Sequence, residues 1–164
     1  MAQGDYNYAL EITGNLRDYV AAHADTEIQA IDSSLDAIKS FTTPIPLVVK
    51  FPAVYVDWAG SKLKRAADDS YCQEEHEFQI GIAVIDKDYD AIADKILKYV
   101  AGVSRVIEKM KSADLTGGTS TTLSGAAWEI VDQDSAKGLR WNDAGIYRRD
   151  AYLTMIVQVT ESKG

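Results

Sequence analysis

The sequence is short of the residues that usually announce chemistry. It has one cysteine, Cys72, and two histidines, His23 and His76, in 164 residues. A lone cysteine excludes an intrachain disulfide and gives no sign of an oxidising compartment. There are three prolines, Pro44, Pro46 and Pro52, all in one neighbourhood. The rest of the chain is free of the strongest helix breaker. No apolar run approaches the roughly 18 residues of a membrane span, so no membrane partner is expected. The opening MAQGDYNYALEITG lacks the basic and apolar stretches of a signal peptide, and the chain reads as soluble and used on the cytosolic side. Basic charge is also scarce. Against 25 Asp and Glu stand 17 Lys and Arg, a net charge of −8. That argues against wrapping nucleic acid, which needs a concentrated basic surface. It leaves room for DNA passing a surface that repels it.

What is present is globular. Hydrophobic residues make up 46% and charged residues 26%, enough for one ordinary core and a single domain spanning 1–164. The organising stretch runs from Tyr71 to Ala113. Phe78, Ile80, Ile82 and Val84 alternate with polar or small residues, the period of a half-buried strand over 73–86. From Asp88 the period changes: Ile92, Ile96, Val100, Val103, Ile107 and Met110 form one helix stripe over 88–113. Asp86, Asp88 and Asp90 at the junction suit helix capping.

The remaining elements follow in order. A helix is expected over 6–22, with Gly14 weakening its middle. Ala24, Asp25 and Thr26 read as a break, and a second helix is expected over 27–41, with Thr26 and Gln29 as a capping box. A short strand at 27–31 competes with it. The prolines then stop the helix, and 47–58 is extended, rich in β-branched and aromatic residues. The charged segment 60–70 joins that strand to an antiparallel neighbour. Asp114–Gly125 reads as a flexible loop. Two strands close the chain, at 126–132 and 147–160, separated by a loop too long for a tight turn. Along the second, Arg149, Ala151, Leu153, Met155, Val157 and Val159 share one face, and Arg148, Asp150, Tyr152, Thr154, Ile156 and Gln158 the other. The expectation is an α+β fold, with an antiparallel or mixed sheet of about four strands packed against helices 6–41 and 88–113.

Candidate chemistry is thin. Cys72, Glu74 and His76 share a strand face, but without a second Cys/His cluster they read as an exposed polar strand end and not as a metal site. Asp86-x-Asp88-x-Asp90 opens like a calcium loop, yet Ala91 stands where the loop needs glycine and Leu97 where it needs a bidentate acid. Gly117-Gly118 follows a helix and carries no phosphate-binding signature. Ser120, Thr121 and Ser124 have no paired base in sight, so nucleophilic catalysis is not expected. No cofactor and no enzymatic activity are expected. Nine tyrosines and three tryptophans suit contact surfaces as well as strands. Leu139, Arg140 and Trp141 are not solvating residues and sit in the long loop, which makes it a candidate contact surface.

The helix near the N-terminus, FPAVYVDW, HEFQIGIAVID, DYDAIADKILKYVAGVSRVI and RRDAYLTMIVQVT resemble, in order and size, the tail terminator (tail completion) proteins of long-tailed bacteriophages. The resemblance covers most of the chain and is architectural, since the family carries no invariant motif. The possible extra helix 27–41 and the long loop 132–146 depart from it. It implies a virion structural protein made in the host cytoplasm. Such proteins form a ring, usually of six subunits, on the head-proximal end of the tail tube. The ring stops tube growth and docks to the head connector or head completion protein, and DNA later passes through its lumen. On that implication, Thr116, Gly117, Gly118, Lys137, Leu139, Arg140, Trp141 and Asn142 are the candidate contacts to a neighbouring copy, the tail-tube protein or the connector. Another neck protein is the nearest alternative. A small hydrolase or metal-dependent enzyme using His76 is the distant one.

Overall fold

The computed structural model describes residues 2–42, 50–65, 71–116, 123–135, 139–140 and 145–162. It is an α+β fold. The helices are α1 (Ala2–Ile31), α2 (Tyr89–Lys109) and α3 (Ser112–Thr116). The strands are β1 (Ser40–Thr42), β2 (Ala53–Arg65), β3 (Tyr71–Asp86), β4 (Leu123–Ser135), β5 (Leu139–Arg140) and β6 (Tyr147–Ser162). They form one mixed sheet in the order β1-β2-β3-β6-β4, with β5 also on β6. All pairings are antiparallel except β1 with β2.

One core lies between the sheet and α1 and α2. The period-two face of β3 supplies Phe78, Ile80, Ile82 and Val84, all fully buried. β6 adds Ala151, Leu153, Met155, Val157 and Val159 from its own inward face. Burying one such large side chain stabilises by roughly 1.5–3 kcal/mol, so this alternation fixes the register: a one-residue slip would expose the whole set. Of the predicted stripe, Ile92, Ile96, Val103 and Ile107 are buried on α2 and Met110 just past its end, Val100 is only half-buried, and Tyr99 and Val106 join them. Burial raises the pKa of the Tyr99 phenol, and its hydroxyl donates to the Asp36 carbonyl at 2.6 Å. Asp88 caps α2, accepting from the N–H of Asp90 at 2.9 Å and of Ala91 at 3.3 Å. Asp86 accepts from the N–H of Asp88 at 2.9 Å, which is the main reason its pKa is lowered. Asp86 and Asp88 therefore serve the backbone, and Asp90 adds acidic charge to the first turn of α2.

The N-terminal half corrects the sequence reading. There is no break at 24–26 and no helix over 27–41. α1 runs unbroken to Ile31, and Ile12, Leu16, Val20, Ala24 and Ile28 are all fully buried. Ala24 is a small member of that stripe and the best helix former, so nothing in Ala24-Asp25-Thr26 interrupts it. The helix stops where Asp32 turns on its own chain and accepts from the N–H and hydroxyl of Ser34 at 3.0 and 2.6 Å. Ile38 is still buried, now on an irregular segment whose N–H donates to Asp25 at 2.9 Å. Ser40 and Phe41, expected at the end of that helix, form the parallel edge strand β1 with Thr42.

Strand limits shift as well. β2 starts at Ala53, after Pro52, and continues through Ser61–Arg65, which read as connecting loop. The misleading residue is Gly60. Its φ of 134° belongs to a bulge after Trp58, not to a strand end. Residues 47–49 of the expected first strand lie outside the described residues. The expected helix 88–113 divides into α2 and α3, the expected 126–132 lengthens to β4, and part of the expected long loop is β5.

Gly14 allows a direct test of helix economy. It sits in the middle of α1, and an added Cβ would meet nothing within 4 Å. Alanine there recovers backbone entropy at no steric cost. Gly14→Ala is expected to raise stability by about 0.5–1 kcal/mol, read as a higher denaturant midpoint at unchanged slope. A lower midpoint would show that this helix interior is not as open as it looks.

Candidate functional site

The helices cover one face of the sheet. The register aligns the other face in rows. Glu77, Ile156 and Glu129 form one row, and Asp57, Gln79, Thr154 and Asp132 form the next. Tyr55, Gly81, Tyr152 and Asp134 make a third. Among the described residues no helix lies on this face: α1 and α2 pack on the inward side chains. Two concavities meet at Ile156. One, of about 530 Å³, is lined by Glu75, Trp128, Glu129, Val131 and Gln158. The other, of about 280 Å³, is lined by Ala59, Gly60, Ser61, Glu75 and Glu77.

Charge on this face is mainly acidic. Asp57, Glu77, Glu129 and Asp132 come from three strands. Lys62 stands opposite Glu75 in the ladder. Arg148 adds a guanidinium, but Asp150 holds it through Nε at 2.7 Å and Nη2 at 2.9 Å. That hydrogen bonding raises the Arg148 pKa. The Tyr55 hydroxyl donates to Asp150 at 3.4 Å, and its ring occupies the space a side chain at position 81 would need. Burial is the first cause of the raised Tyr55 pKa, followed by the hydrogen bond with Tyr152 and the Asp150 charge. This end of the face is a packed aromatic and ionic cluster. The end around Ile156 is open.

The strand end expected to be exposed is buried instead. His76 is fully buried and Glu74 is 4% exposed, both on the helix side of β3. Glu74 Oε2 lies 3.0 Å from His76 Nε2, and Trp58 Nε1 donates to His76 Nδ1 at 3.2 Å. Because the indole N–H can only donate, Nδ1 accepts and Nε2 carries the proton toward Glu74. The geometry is that of a satisfied core network. Among the described residues, no three His, Cys, Asp or Glu side chains converge as a metal site. None of the described helices is long and apolar enough to cross a membrane.

The residues singled out from sequence fall unevenly. Thr116 ends α3 and is buried, its hydroxyl donating to the Ser112 carbonyl at 3.3 Å. Leu139 and Arg140 form β5, opposite Arg148 and Tyr147 of β6. Gly117, Gly118, Lys137, Trp141 and Asn142 lie outside the described residues. The residues missed were the outward rows. Alternation along β6 did place Ile156 among polar neighbours, and an isoleucine on a polar face was the available signal.

No protein-family model matches this chain, and no curated protein matches it. Among solved structures, the chain is similar to one from a structure titled "Virion of native gene transfer agent (GTA) particle". The similarity covers 87% of this chain and 95% of that one, at 18% identity and a TM-score of 0.40.

Proposed function

We propose that this chain is a structural protein of a phage-like virion and acts as its tail terminator. Six copies form a ring on the head-proximal end of the tail tube, halt its elongation and present the surface that joins the head. What supports the reading is the sequence resemblance set out above, together with one observation. Among the described residues the sheet is covered on one face only, with open edges and an uncovered, mainly acidic face. Such a block offers different surfaces on different sides, as heterologous ring contacts require. An acidic face turned to the lumen lets DNA slide without sticking, because like charge repels the phosphates. No bond is made or broken. The partners are copies of itself, the tail-tube protein and the head connector or head completion protein, in the virion neck.

Segments 114–125 and 136–143, with Leu139, Arg140 and Trp141, contact one of these partners. The test is to add purified protein to growing tail tubes and image the products. Tubes of limited length bearing a ring at one end are expected. Removal of 136–143 should abolish ring assembly or head joining. Tubes that keep growing would overturn the terminator function. Rings that bind filled heads and ignore tubes would make this another neck protein. Intact assembly after the deletion would remove that loop from the contact.

A further inference from the structure

Edge strands are usually blunted with charge, yet both long edges of this sheet expose apolar side chains at a bulge. On β4, Val131 is the extra residue between Ile130 and Asp132, and it is 49% exposed. On β2, Trp58 opens the bulge before Gly60 and is 42% exposed. The ladder carries Trp58 to Phe78, Phe78 to Met155 and Met155 to Ile130. The two bulges therefore flank one row, at opposite edges of the sheet. Among the described residues, nothing pairs with the outer side of β4, and nothing pairs with β2 beyond Tyr55.

We propose that these edges are the two halves of one contact between copies: β4 of one subunit lies along β2 of the next, with Trp58 beside Val131. The proposal rests on the ring reading and supplies its interface. Direction supports it. β2, β3, β6 and β4 alternate in sense, so β2 and β4 run oppositely. Copies side by side in one orientation would meet antiparallel, the more stable ladder. Charge argues against the self-pairing. β2 contains Lys62, Lys64 and Arg65 against Asp57, while β4 contains Glu129, Asp132 and Asp134 and no basic residue. Like charges disfavour β4 against β4. Aromatic side chains at such a place are typical of interface centres. The two patches differ, so repetition closes a ring or extends a filament, and a closed ring leaves neither edge free.

Cysteine pairing tests this. In a Cys72→Ser background, Ala59→Cys and Val131→Cys are introduced together and singly, then oxidised mildly. The pair should give a ladder of cross-linked copies that ends at the ring, and each single variant should give none. Separately, Val131→Arg should weaken assembly by at least about tenfold. An oligomeric wild type without the ladder, or with assembly indifferent to Val131→Arg, overturns this interface and leaves the ring standing. Single variants that cross-link as well as the pair also overturn it. A wild type that stays monomeric overturns the interface and the ring together.

Discussion

Gly102→Val is expected to cost about 3 kcal/mol of folding stability, the upper part of the range for overpacking. The reason is a close approach of two helices. A Cβ at position 102 would overlap the Ile28 side chain and sit 3.1 Å from the Ile28 Cα and 3.2 Å from its N. Backbone cannot swing aside as a side-chain tip can. Relief would need α1 to lift from α2, along the contact that buries both apolar stripes. Two ion pairs lie along the same contact. Lys98 reaches Asp32 at 2.7 Å, and Lys109 bonds Glu27. The Lys98 hydrogen bond is the first cause of the lowered Asp32 pKa. These exposed pairs are worth too little to hold the helices together against a clash. The comparison with Gly14→Ala is instructive. Helix propensity favours the larger residue at both positions, by about 1 kcal/mol for alanine and about a few tenths for valine, so only the neighbouring helix decides the sign. Denaturant midpoints of the two variants measure it. A Gly102→Val protein as stable as wild type would mean that α1 and α2 do not pack this closely.

The second large effect belongs to the buried polar pair. His76→Ala is expected to destabilise by about 4 kcal/mol, within the range for breaking a buried pair. It removes a filled volume and leaves the Glu74 carboxylate without its Nε2 donor, at a site with almost no access to water. Replacing both partners by apolar residues, Glu74→Met with His76→Leu, should recover most of the loss. Additive losses in that double variant would show that the two side chains do not depend on each other. Trp58 emission gives a second readout, since its indole N–H loses an acceptor in both variants.

The sequence made the sheet legible where burial is one-sided. Along β3 and β6 the period of two named the inward residues, and the change of period at Asp88 named the start of α2. It misled where one residue type serves two purposes. Ala24 looked like part of a break because it is small, and it is buried for the same reason. Gly60 marked a bulge that a strand then passes through. His76 and Glu74 looked solvated because they are polar, but the register put them among Val157 and Val159 on the inward face. No local pattern reports burial of that kind, which depends on what packs above the strand. The candidate surface was legible only in part. The outward rows of β6 could be written down, yet their partners Glu77 and Glu129 come from strands on either side, and that pairing is tertiary. Trp58 and Val131 carry no distinguishing local signal. Their meaning comes from being at two edges of one sheet.

On the proposed function the chain works as an assembling block, through copies of itself. The most direct check is the mass of the purified full-length protein in solution, by sedimentation equilibrium or native mass spectrometry. A closed six-membered ring of an 18.0 kDa chain gives about 108 kDa, alone or once tail tubes are supplied. A species that remains at 18.0 kDa at high concentration, with tubes present and ignored, would contradict it.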